Sequence, residues 1–351
     1  MNHHAVVLAL ISAALFGVST PAAKLLLGSI DPIVLAGLLY CGAGIGVGLL
    51  RRVLRASMSG NVATEAPLQR HDMPWLAGAI VAGGIAGPVL LMAGLSRTEA
   101  SAASLLLTLE GVATALLAWF VFRENFDRRI AIGMAFLVAG ALVLSWSGAP
   151  SLSNLMGPIL IVGACIAWGL DNNLTRKVSL ADPLQIVEIK GLFAGPINLL
   201  LGLAVGNNLP GFSPMLIAGF VGFIGYGISL ALFVRALRYL GTARTGAYFS
   251  TAPFLGALAA ILLLSEPISI QLAAAGALMA VGVWLHLTED HEHEHVHEAM
   301  AHAHQHVHDE HHHHAHSVDD PPGEPHTHWH RHERLTHKHS HVPDMHHTHS
   351  H

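Results

Sequence analysis

Ten stretches of mostly apolar residues, each long enough for a helix of about 20 residues to cross the hydrocarbon layer, follow one another through the first 287 positions. They lie near 5–27, 32–50, 74–95, 99–122, 129–147, 156–175, 183–205, 213–236, 244–264 and 268–287, with short polar segments between them. Inside a bilayer every backbone N–H and C=O must find its partner within the segment, so such runs predict helices rather than strands. Met1 to His4 carries no Lys or Arg and nine further stretches follow, so the first is read as a retained span rather than a signal peptide. After Leu287 the apolar runs stop, and His alternates with small and polar residues as far as His351.

The ten stretches fall into two similar halves. Phe16-Gly17 is followed by polar residues and Lys24, and Trp168-Gly169 by Asp171, Asn172, Asn173 and Arg176. Asp31-Pro32 opens the second span and Asp182-Pro183 the seventh, while the fourth and ninth end at Arg123-Glu124 and Ser265-Glu266. Five spans is an odd number, so a second copy enters the bilayer upside down, and inverted repeats place a shared cavity at their interface. The expected fold is therefore all-α and integral to the membrane. It has ten transmembrane helices as two inverted five-helix repeats, residues 5–147 and 156–287, and a disordered tail, 288–351.

Charge follows the same division. The first 287 residues hold 15 Lys/Arg against 11 Asp/Glu, whereas the tail holds three against 12, with 24 of the 28 histidines. A single soluble globule, a disulfide scaffold (Cys41 and Cys165 are the two cysteines) and a basic nucleic-acid binder are excluded. Lys and Arg in short loops mark the cytoplasmic side. With the amino terminus inside, that side collects Arg51, Arg52, Arg55, Arg70, Arg123, Arg128, Arg129, Arg176, Lys177, Arg235, Arg238 and Arg244, against Arg97 outside. Both termini are then cytoplasmic.

On span count, on Phe16-Gly17 and Trp168-Gly169, and on the acids Glu124 and Glu266, residues 5–287 resemble the EamA-type members of the drug/metabolite transporter superfamily. Within it the chain is similar to inner-membrane proteins associated with bacterial nickel and cobalt resistance that carry a His-rich end. The resemblance implies a secondary transporter, usually an exporter, and not an enzyme.

Ionisable groups within a bilayer are costly, by about 2.5–3.5 kcal/mol on insertion scales, so each is a functional candidate. Glu110 lies about halfway along the fourth span and suits a group that trades a proton for a cation; the competing reading is a helix-joining hydrogen bond. Asp171, Asn172 and Asn173 offer oxygens to a cation or a polar metabolite, with helix capping as the alternative. Glu188 and Lys190, two residues apart, point to different sides of the seventh helix. One of them is expected to meet Glu110 or Asp171; otherwise both reach the cytoplasmic interface along their stems. Glu124 and Glu266 read as structural. No Gly-Lys dipeptide occurs, so the GxxxxGK phosphate loop is absent, no nucleotide is expected, and an ion gradient is the expected energy source.

In the tail the metal-ligand candidates are His291, His293, His295, His297, His302, His304, His306, His308, His311, His312, His313, His314, His316, His326, His328, His330, His332, His337, His339 and His341. Imidazole suits Ni, Co and Zn, and alternate residues of an extended chain face one way. A pH-responsive polyelectrolyte is the alternative. The combined expectation is efflux of divalent metal, or of a metal complex, with proton antiport as the candidate coupling. Two alternatives stand beside it: a metabolite or amino-acid exporter with a metal-sensing tail, and a membrane-anchored metal store. The bilayer and metal ions are the expected partners, a second copy of the chain is a candidate one, and nucleic acid is not expected.

Overall fold

The computed structural model describes residues 3–57, 66–121, 128–146, 152–179 and 181–287, together with the backbone of four tail segments. The chain up to Leu287 is helical. The helices are α1 (His3–Leu26), α2 (Pro32–Ser57), α3 (Met73–Ala79), α4 (Gly87–Leu95), α5 (Ala100–Leu106), α6 (Leu109–Phe120), α7 (Arg128–Ser145), α8 (Leu152–Arg176), α9 (Pro183–Ala204), α10 (Phe212–Gly222), α11 (Ser229–Phe249), α12 (Ala252–Leu264) and α13 (Ile270–Leu287). Seven segments are long and apolar enough to cross a membrane, and three shorter apolar helices, Ala131–Ser145, Ala252–Leu264 and Ile270–Leu285, occupy the predicted fifth, ninth and tenth positions. Large apolar side chains point outward all along these helices, Phe193, Leu200, Phe220, Leu262 and Ile270 each being at least 60% exposed. Such an apolar surface belongs against lipid.

Two long helices contain a π-helical stretch. Ile80–Ala86 joins α3 to α4, and Phe223–Ile228 joins α10 to α11. Helical breaks recur as well. Leu107–Thr108 separates α5 from α6, and Ser250–Thr251 separates α11 from α12. At each break a threonine hydroxyl donates to the carbonyl three residues back, Thr108 to Leu105 at 2.8 Å and Thr251 to Tyr248 at 2.7 Å. The predicted loop between 236 and 244 is therefore corrected: that stretch continues α11, and the interruption comes at Ser250 instead. Gly246 and Tyr248 are hydrogen-bonded within this last turn, and no proline intervenes to stop the helix earlier.

Packing pairs the helices across the sequence midpoint. α2 lies along α9, α7 along α13, and α5 along α12; α1 packs on α11 and α12, while α8 packs on α4 and α6. The α2–α9 contact is close because both helices bring glycine to it. A Cβ at Gly44 would lie 2.6 Å from the Leu192 nitrogen, and one at Gly195 equally near the Cys41 nitrogen. Gly48 also faces α9, against the Glu188 carboxylate. Since backbone, not a yielding side chain, fills the space, Gly44→Leu is expected to cost more than the about 1–3 kcal/mol of ordinary overpacking. Thermal unfolding of the purified chain followed by tryptophan fluorescence measures this.

Polar ties hold the helix ends. Lys24 Nζ donates to the Leu95 and Thr98 carbonyls at 2.5 and 2.7 Å. Glu266 accepts from the Ala100 and Ser101 amides, both at 2.8 Å, at the start of α5. The structural reading of Glu266 is thus met by backbone donors at a helix amino terminus, where a carboxylate is favoured. Glu124 and Arg123 lie outside the described residues.

In the tail the backbone forms β1 (Glu292–His297), β2 (Met300–His306), β3 (His326–His332) and β4 (Leu335–Ser340). β1 pairs antiparallel with β4, and β2 with β3. A strictly alternating pattern has the period of a strand. His291, His308, His311 to His314, His316 and His341 lie outside the described residues.

Candidate functional site

A small cavity of about 60 Å³ opens between α1, α2, α6, α8, the second π-helical stretch and α11. Helical spacing builds its wall. Trp168, Asp171 and Asn172 stand at i, i+3 and i+4 on α8, and Tyr226, Ser229, Leu230 and Phe233 repeat that spacing from the second π-helical stretch into α11. Phe16, Tyr40 and Phe249 complete the aromatic lining. Phe16 is its hub, with ring centroids 5.9 Å from Trp168, 5.7 Å from Tyr226 and 5.4 Å from Phe249, while Tyr40 and Tyr226 are 5.6 Å apart.

Glu110 stands in the first turn of α6, immediately after the break at Thr108, and projects into this lining. Its Oε1 accepts from Asn172 Nδ2 at 2.8 Å, and the same amide lies 3.2 Å from Thr114 Oγ1. No ion-pair partner for Glu110 occurs among the described residues. The other acid of the cavity is neutralised. Lys190 Nζ lies 2.6 and 2.7 Å from the two Asp171 oxygens and 3.3 Å from Thr175 Oγ1, which itself donates to Asp171 Oδ1 at 2.8 Å. Lys190 is 1% exposed.

A π-helical stretch also serves the site. The Gly83 carbonyl accepts from Tyr40 Oη at 2.6 Å and from Trp168 Nε1 at 2.9 Å, so one backbone oxygen fixes two of the lining rings. Gly83 has no room for a Cβ because the Asp171 carboxylate lies against it. The hydroxyl of Tyr226 is buried, on the side of Ser19.

Of the six sequence candidates, Glu110, Asp171 and Asn172 line the cavity. Lys190 sits behind Asp171, the pairing the sequence offered as one option, and helix capping by Asp171 is corrected, since the residue lies within α8 and bonds to Lys190 and Thr175. Asn173 turns away, its amide donating to the Gly169 and Thr114 carbonyls and so joining α8 to α6. Glu188 stands apart, paired with Arg51 at 2.8 Å beside Asp182, which caps α9 and accepts from Arg51 at 2.9 Å. Sequence reasoning missed Tyr40, Tyr226, Phe233 and Phe249. With four tyrosines in the chain, two of them deep in apolar spans, their rarity was the available signal.

Among the described residues no group of three or more His, Cys, Asp or Glu is placed to hold a metal ion. Tail imidazoles are known here by register alone. His293 stands opposite His339 and His295 opposite His337; His302, His304 and His306 stand opposite His330, His328 and His326.

Residues 3–146 and again 155–288 match the EamA-like transporter family. An uncharacterised transporter of Methanothermobacter thermautotrophicus is 30% identical over 281 residues, 77% of this chain and 82% of that protein. The probable 4-amino-4-deoxy-L-arabinose-phosphoundecaprenol flippase subunit ArnE of Pseudomonas fluorescens is 40% identical over 78 residues, 22% of this chain and 68% of that one. One crystal structure shares the fold at a TM-score of 0.62 and 18% identity, over 81% of this chain and 98% of the other.

Proposed function

The chain belongs to the EamA-like transporter family, and from that premise we propose that it is a proton-coupled secondary exporter of small organic cations, with Glu110 as the acid that binds cargo and proton in turn. The observation that carries this reading is the lining itself. Among the described residues, six aromatic rings surround one carboxylate without an ion-pair partner, and no Lys, Arg or His lines the cavity. Ring faces attract cations, and a buried acid rejects anions, so an ammonium or quaternary group with an apolar body is the matching cargo. The ArnE relative, whose name includes an amino sugar, is compatible with a cargo bearing an amine.

Alternating access follows from the repeat. In this reading all ten apolar helices cross the inner membrane, as two five-span halves of opposite orientation with both termini cytoplasmic. Four observations support it: the double family match, the exchange-related packing of α1 and α8, the paired π-helical stretches and the paired breaks at Thr108 and Thr251. The cavity lies where inverted repeats meet.

The tail enters as a metal-responsive element. The 24 tail histidines, several of them opposite one another in the antiparallel registers, support binding of Ni, Co or Zn. Efflux of the metal itself is the second reading, and the histidine-rich tail is what favours it. Transport in inverted membrane vesicles, driven by an imposed pH gradient, separates the two. With benzyltrimethylammonium and nickel as probes, the full chain and a chain truncated after Leu287 are expected to move the organic cation at equal rates. Only the full chain is expected to retain nickel in equilibrium dialysis. Nickel flux without organic-cation flux would install the second reading in its place.

A further inference from the structure

Lys190 is the largest fully buried side chain among the described residues, 1% exposed, and it stands one layer behind the cavity. Two acids line the cavity, Glu110 and Asp171, yet only one of them is free of a cation. Lys190 holds both Asp171 oxygens, with Thr175 completing the cluster. Other titratable groups near Asp171 are Tyr40 on α2, Tyr226 on the π-helical stretch, Cys165 on α8 itself and Glu110 on α6, and none brings a positive charge. Glu188, two residues from Lys190, is taken up by Arg51. With Glu110 ionised, the cavity therefore carries one net negative charge.

Resting on the organic-cation reading above, we propose that Lys190 is a specificity-determining residue: by neutralising Asp171 it matches the cavity to cargo bearing a single positive charge. Two features support a role beyond packing. Asp171 faces the cavity, within the wall that a bound cation would touch, whereas Lys190 is shut off from it. The pair also leans on Gly83, whose carbonyl sets Tyr40 and Trp168, so charge and ring geometry are fixed by one cluster. Removing the lysine charge would leave Asp171 facing the cavity as a second unpaired carboxylate, suited to a dication.

The test measures binding to the purified full-length chain by isothermal titration. Its probes are benzyltrimethylammonium, a permanent monocation, and p-xylylenebis(trimethylammonium), a permanent dication of the same chemistry. Wild type is expected to prefer the monocation. Lys190→Met is expected to shift the preference toward the dication by at least about tenfold, as an added charge a few ångströms away at intermediate dielectric implies. Lys190→Gln, which keeps a donor for Asp171, repeats the comparison with less disturbance. The double variant Asp171→Asn with Lys190→Met restores the net charge and is expected to restore the monocation preference. Folded single variants with the wild-type ratio would overturn the assignment while leaving the cation cavity standing, and a double variant that prefers the dication would do the same. Wild type that binds neither probe would overturn the organic-cation reading and this inference with it.

Discussion

Asp171→Asn is expected to destabilise the folded chain by about 3–5 kcal/mol, the cost of stranding one partner of a buried ion pair. Lys190 is packed inside, 1% exposed, and among the described residues its side chain meets only Asp171 and Thr175. An asparagine in place of Asp171 supplies one neutral oxygen where two charged ones stood, and the ammonium has no water to turn to. Lys190→Met is expected to be milder, because the carboxylate it leaves behind faces the cavity. Combining the two substitutions should recover most of the loss, since two neutral groups of similar bulk replace the pair. Chemical unfolding of the detergent-solubilised protein followed by tryptophan fluorescence measures all three. Equal losses for both single variants would contradict the asymmetry.

Glu110→Gln is expected to abolish cation export while leaving the protein folded. Glutamine keeps the volume and still offers an oxygen to Asn172, whose amide also reaches Thr114, so the α6–α8 contact survives. What goes is the charge. Losing a buried charged partner costs about 2–5 kcal/mol of binding, which is on the order of 30- to several-thousand-fold in affinity. It also removes the one lining acid that has no counter-ion to hold it in a single charge state. Export by Glu110→Gln at the wild-type rate would remove Glu110 from the mechanism.

The sequence made the membrane class legible because apolar run length answers directly to bilayer thickness. Its internal likeness was legible too, through pairs such as Phe16-Gly17 and Trp168-Gly169. What the sequence could not show is that these two places meet, with Phe16 and Trp168 in edge contact. Glu110 could be singled out by cost alone, and Lys190 could be expected to seek Asp171 or Glu110. Choosing between those partners needed the structure, which brings Lys190 Nζ to both Asp171 oxygens. The aromatic wall stayed hidden for a different reason: its six rings come from distant parts of the chain, and only the folded packing of α1, α2, α8 and α11 brings them together. The break at Ser250 escaped as well, although Pro253 in the first turn of α12 was an available signal; hydroxyl bonds back along the helix accompany it.

Proton release on cargo binding tests the central claim most directly. If Glu110 carries proton and cargo in turn, benzyltrimethylammonium bound to the purified full-length chain in weakly buffered solution displaces about one proton per cation, by linkage of the two occupancies. A pH indicator reads this, and the release disappears in Glu110→Gln. Cation binding with no proton release, or release that persists in the glutamine variant, would contradict the account.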